Sequence, residues 1–269
     1  MNRTATGVQQ DGLGDWRLQA ATRLASDLRA AFPGGPSHKA GTAVYLTTMA
    51  SSPLHQRLSF LTPSAAALAL SSGFRSAKRA SELWPKITYT DVITPDGPGS
   101  SVSLNDAPIL FHYLEECLAS AIASFAAVEA FANEIIARDL KGTMTLDRRG
   151  GSDTLTAEEI ERGVSTAEKI ATVLPQIWSV PSIKGRHEWQ LFRELKHVRD
   201  ASTHFKSGDQ YSLSGKIDKD SLYYIFLNGE PMRLPLSALR VIWAVLTQQA
   251  KPRWLSHLAE THGINPNPP

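Results

Sequence analysis

A mainly α-helical bundle carrying a small β-hairpin, preceded by an α/β N-terminal extension, is the fold class this sequence predicts. Three observations predict it. Apolar residues recur at i, i+3/i+4 and i+7 from Leu110 through Leu114, Cys117, Ala121, Phe125, Val128, Ala132 and Ile135. Thr156-Ala157-Glu158-Glu159 has the spacing of a capping box, which starts a helix. Two more amphipathic runs, over 186–206 and 235–250, follow it.

Taken in order, residues 1–13 read as a loose tail. Trp16, Leu18, Ala21, Leu24, Leu28 and Ala31 predict a helix over 15–32, stopped by Pro33-Gly34-Gly35-Pro36. The stretch 43–48 is a short β-like piece. The alanine-rich stretch 63–83 predicts a helix, and the β-branched and aromatic residues of 87–93 predict a strand. Thr94 to Ser101, rich in Pro, Gly and Ser, is the strongest punctuation in the chain and reads as either a domain linker or a long turn. A boundary there divides an N-terminal accessory region, 1–100, from a helical bundle domain, 101–269.

Asp106 caps the next helix, with Pro108 in its first turn, where a missing N–H costs least. The helix runs to Lys141-Gly142, about 34 residues and about 50 Å at 1.5 Å per residue, long enough to be the spine of a bundle. The stretch 147–152 reads as a polar loop, and the helix opened by the capping box continues to about Trp178. A charged amphipathic helix spans 186–206. Asn228-Gly229, between the stretches 221–227 and 232–234, has the chemistry of a hairpin turn, and 235–250 is the final helix.

Composition bounds the function. The chain has 269 residues, 42% hydrophobic and 20% charged, with a formal net charge of +2. That is ordinary for a globular protein and neither requires nor excludes a nucleic-acid partner. The single cysteine, Cys117, allows no internal disulfide, and its place on an apolar helix face makes it a core residue rather than a nucleophile. The first residues lack a secretory pattern, and the runs 65–70 and 241–246 are too short to span a bilayer. The expectation is a cytoplasmic protein with no membrane association.

The chemistry concentrates in Arg199-Asp200-Ala201-Ser202-Thr203-His204. Histidine changes charge near neutral pH, and arginine offers a permanently charged fork for phosphate oxygens. At 100° per residue Arg199 and His204 lie about 140° apart around the helix. Asp200 and His204, four apart, share a face, so the carboxylate is placed to orient the ring. Cleaving RNA through its own 2′-OH needs a base, an acid and positive charge on the phosphate. One helix supplies only part of that set; a two-fold dimer would supply two. Lysines and arginines at 184, 186, 193, 196, 199 and 206 outnumber Glu188, Glu194 and Asp200, and Arg193, Lys196 and Lys206 are the candidate phosphate contacts.

The hexapeptide fits the R-x4–6-H signature of the HEPN superfamily, so the chain resembles HEPN proteins over roughly 104–250. The stretch 124–136 looks like an early helix of that family and 235–246 like a closing one. The resemblance implies a HEPN-like α-helical bundle, frequent homodimerisation and metal-independent RNA cleavage without a cofactor. Arg199 and His204 match the catalytic pair and Asp200 the intervening polar position. A role as a toxin with an antitoxin or regulatory protein partner, or in defence against phage, also follows only from it. Some members are non-catalytic modules that bind RNA, nucleotides or proteins, which is the alternative reading. Glu129 is a candidate to pair with Arg199 across the bundle.

A rival metal reading rests on Glu194-Leu195-Lys196-His197, the E-x-x-H spacing of di-metal bundles, with Asp200 and His204 on the same stripe. The second E-x-x-H that such bundles need is missing, so no metal site is assigned. The stretch 33–39 lacks Walker spacing and reads as a plain turn.

Overall fold

The structure is a computed structural model that describes residues 13–19, 21–28, 37–51, 53–54, 57–94, 97–148, 151–204, 221–246 and 251–264. Helices dominate it, and its strands pair only as separate two-stranded antiparallel sheets. In chain order the first part holds β1 (Ala21–Arg23), β2 (Ala43–Tyr45), β3 (Thr47–Ala50), β4 (Leu58–Leu61), α1 (Ala65–Leu83), β5 (Tyr89–Thr94) and β6 (Gly97–Val102). Then follow α2 (Ala107–Asp139), β7 (Thr143–Arg148), β8 (Gly151–Thr156), α3 (Ala157–Gly163), α4 (Thr166–Glu168), a π-helical turn (Lys169–Val173) and α5 (Leu174–Trp178). The last described elements are α6 (His187–Thr203), α7 (Leu222–Asn228), α8 (Arg233–Val245) and α9 (Arg253–Thr261).

α2 is the spine, as its periodicity predicts. Its buried stripe includes Tyr113, Cys117, Ala121, Phe125, Val128, Ala132 and Ile135, and α1, α6 and α8 pack around it. Asp106 does sit at the helix start, but its carboxylate accepts from the hydroxyls of Ser103 (2.8 Å) and Thr88 instead of capping an amide. α2 has the length and apolarity to cross a membrane, and 56% of its most apolar stretch is buried within the protein.

The interior crosses the division placed at residue 100: Ala66, Leu70 and Phe74 of α1 share one cluster with Phe125, Val128 and Phe131 of α2. The approach is close enough that a Cβ on Gly73 would lie 2.8 Å from the Ser124 hydroxyl. A second cluster joins Ala80, Tyr113 and Cys117 to Val198, Leu222 and Phe226.

Four local expectations are corrected. The helix predicted over 15–32 is not formed in its described part: β1 pairs with β2, Ala21 opposite Tyr45, and Gln19 donates its N–H to the Thr62 carbonyl (2.9 Å). Non-local backbone partners there outcompete a helical pattern. The loop expected over 147–152 is strand in its described part: Asp147 of β7 pairs with Ser152 of β8 and Arg148 with Gly151, and Leu146 beside them is buried. Of the two readings of 94–101, a linker or a long turn, the described residues fit the turn: Tyr89–Thr94 pairs with Gly97–Val102, Tyr89 opposite Val102.

The helix from the capping box is interrupted twice. Thr156 and Glu159 form that box as predicted, but the chain recaps at Ser165, whose hydroxyl accepts from Glu168 N–H (3.2 Å). Pro175 then lacks the N–H that would reach Ala171; the Ser182 hydroxyl donates to that carbonyl instead (2.6 Å), and the π turn lies immediately before.

The hairpin expected around Asn228-Gly229 is α7. Leu222 and Phe226, one turn apart, bury against the second cluster, and Tyr113 donates its hydroxyl to the Phe226 carbonyl (2.6 Å). Gly229 is needed at the helix end for close approach, since a Cβ there would lie 2.7 Å from the Ile225 carbonyl oxygen. Past α8, the expected final helix, α9 packs Trp254, Leu255 and Leu258 into the main core.

Candidate functional site

α6 positions the candidate residues. Its inner face, Leu191, Phe192, Leu195, Val198 and Ser202, is buried, with Phe192 against Phe125 of α2 (centroids 6.1 Å apart). Arg193, His197 and His204 are therefore left exposed on the opposite side. The helix ends by side chains closing on its own carbonyls. Ser202 donates to the Val198 carbonyl (2.7 Å) and Thr203 to those of Arg199 (3.0 Å) and Asp200 (3.2 Å). His204 caps this turn through its N–H to the Asp200 carbonyl (3.0 Å), at φ −129° and ψ 69°, and its side chain is exposed.

Arg199 lies between the core and the surface, its side chain 29% exposed. Its Cζ sits 4.0 Å from the centroid of the Phe125 ring, a cation–π contact. Nε is buried with no hydrogen-bond partner among the described residues, while Nη1 reaches Asp200 Oδ1 at 3.2 Å. The other Asp200 oxygen is taken by the Lys196 ammonium. Asp200 is thus held between two cations and makes no described hydrogen bond to the His204 ring, which corrects the expected orienting role. Lys196 and Arg199, each within ion-pair reach, hold both carboxylate oxygens.

Glu129 does not meet Arg199 either: it accepts a hydrogen bond from the Thr166 hydroxyl (3.2 Å). Its neighbourhood is a separate polar cluster in which the buried Lys169 donates to Asn133 Oδ1 (2.9 Å) and the Glu161 carbonyl (2.7 Å). Burial pushes the Lys169 amine below the ordinary lysine range.

Of the phosphate candidates, Arg193 is exposed and makes no ion pair among the described residues, Lys196 is committed to Asp200, and Lys206 lies outside the described residues. Glu194, the acid of the E-x-x-H spacing, is ion-paired with Arg233. No three His, Cys, Asp or Glu side chains form a metal-binding group among the described residues. Cys117 is buried, and desolvation raises its thiol to about 11, which suits a core residue.

Sequence reasoning missed Phe125 as the platform for Arg199, because only the crossing of α2 and α6 brings them together. It also missed the groove that α6 forms with α7, lined by Gln190, Arg193, His197, Tyr224, Ile225 and Asn228. Reading 221–227 as a strand hid that wall; the one-turn spacing of Leu222 and Phe226 was the available signal.

Comparison with protein-family models, with curated proteins and with solved structures finds no match.

Proposed function

We propose that this protein is a metal-independent endoribonuclease with a HEPN-like helical bundle, working as a homodimer whose α6 ends converge on one RNA strand. The observation that carries this reading is the placement of Arg199 and His204. The imidazole is exposed where α6 ends, and five residues earlier the Arg199 guanidinium lies over the Phe125 ring, its Cζ 4.0 Å from the centroid. With Nε buried and Nη1 on Asp200, Nη2 is the end that would offer N–H groups to an oxyanion. In the mechanism His204 takes the proton from the 2′-OH, which attacks the adjacent phosphorus and expels the 5′-oxygen. The partner's copy of His204 protonates that leaving oxygen, and Arg199 stabilises charge on the phosphoryl oxygens. Asp200 positions Arg199 and Lys196 rather than the imidazole.

Incubating mixed RNAs with wild type, His204→Ala and Arg199→Ala tests it. The expected result is cyclic-phosphate ends from wild type and at least a 100-fold loss in His204→Ala, the lower range of general acid–base contributions. Wild-type protein that leaves every RNA intact overturns the enzyme.

A second reading is favoured by one contact. Arg199 on Phe125 ties α6 to α2, as a purely structural cation would, so the fold would serve as a non-catalytic binding module. RNA binding without cleavage is its expected outcome in the same assay.

A further inference from the structure

Along the middle of α6 runs a groove of about 560 Å³ between α6 and α7. It is lined by the apolar Val198 and Ile225, by Tyr224, by Gln190 and Asn228, and by Arg193. We infer that this groove holds one unpaired nucleotide of a single-stranded RNA, the base against Tyr224 and the phosphate on Arg193. The inference rests on the proposed function and names where that site grips its substrate.

Each wall matches one part of a nucleotide. Unpaired bases are recognised by stacking on aromatic rings and by hydrogen bonds along their edges. Asn228 donates Nδ2–H to the Tyr224 carbonyl (3.0 Å), which fixes the amide and leaves its Oδ1 for a base edge. The second guanidinium of the groove, Arg233, is neutralised by Glu194, so Arg193 supplies the local excess of positive charge. Arg193 is exposed and has no ion pair among the described residues.

Position joins the groove to the chemistry. Arg193, His197 and His204 fall within about 40° of one another around α6 at 100° per residue. His197 and His204 are seven residues, about 10 Å, apart along the axis. A strand whose base enters the groove therefore runs along one exposed stripe of α6 to the imidazole. The groove sets which nucleotide is presented and makes the substrate a single strand, because a paired base cannot enter.

Binding of a fluorescent 12-nucleotide single-stranded RNA, measured by anisotropy, tests this with Tyr224→Ala, Arg193→Ala and, as a control on α1, Lys78→Ala. Circular dichroism confirms that each variant is folded. Tyr224→Ala is expected to weaken binding about 5- to 150-fold, the range of one stacked base. Arg193→Ala, an exposed position, lowers the slope of log affinity against log salt by about one. Lys78→Ala leaves both unchanged.

A parallel titration with AMP separates a free nucleotide from a nucleotide in a strand. RNA bound or cleaved equally by wild type and both groove variants overturns the groove and leaves the proposed function standing. AMP bound in a Tyr224-dependent way without any RNA binding overturns the RNA occupant. Absence of both kinds of binding overturns the groove and the RNA reading together.

Discussion

Arg199 serves packing and charge at once. Its Cζ lies over Phe125 while Nη1 holds Asp200, so its contribution to stability is measurable apart from any activity. A double-mutant cycle of Phe125→Leu with Arg199→Gln is expected to show a coupling of about 0.5–2 kcal/mol in denaturant unfolding, the range of a partly desolvated cation–π pair. Lys169 makes a second prediction at this scale. Its amine is buried and its folded value lies below the ordinary 10.5. The unfolded chain therefore binds more protons than the folded one between those two values, and stability rises with pH across that window. Below the folded value the cost of burying the ammonium is fully in force. Denaturant midpoints followed from neutral pH to about 10 are expected to climb in wild type more steeply than in Lys169→Met, which has no proton to lose.

The elements owe their ends and crossings to small residues. α1 and α2 approach so closely that Gly73 faces Ser124, whose buried hydroxyl has no hydrogen-bond partner among the described residues. Gly73→Ala is expected to cost about 1–3 kcal/mol by overpacking, despite the better helix propensity of alanine. Ser124→Ala, which deletes the opposing oxygen, is expected to restore most of that loss; thermal unfolding of the single and double variants checks both. At the end of α7, Gly229→Ala forces a Cβ against the Ile225 carbonyl and is expected to lower stability by a similar amount without moving the α6 terminus. The folding of α7 itself shows how tertiary contacts override local preference. Leu222-Tyr223-Tyr224-Ile225-Phe226 is a β-prone run, yet Ser221 caps it through the Tyr224 N–H (3.2 Å) and the second cluster buries Leu222 and Phe226 on one side.

For the whole molecule, the proposed reaction needs two copies, since one protomer offers one exposed His204 at the end of α6. Light scattering is expected to give a dimer, and adding excess His204→Ala to wild type is expected to lower cleavage beyond dilution, because each mixed dimer keeps a single His204. A strictly monomeric protein that still cleaves RNA would require a different second proton carrier. The two interior clusters also make the halves interdependent. α1 lies before the Pro/Gly-rich stretch 94–101 yet shares its core with α2, so the punctuation marks a hairpin inside one packed unit.

What could be read in the chain was wherever local rules decide alone. The long stripe of α2, the Thr156–Glu159 box, the alanine-rich α1 and the outward face of α6 all follow from periodicity and capping, which depend on neighbours within four residues. The mainly helical class followed with them. What only the tertiary structure decided depends on partners far away in sequence: β1 taken from a helix by β2, α7 taken from a strand by Tyr113 and Cys117, Asp200 taken from His204 by Lys196 and Arg199. The Arg199–Phe125 contact and the groove of Tyr224 belong to the same group. Hydrogen bonds, charges and ring faces choose among competitors by distance, and distance across a fold is set by packing, not by spacing along the chain.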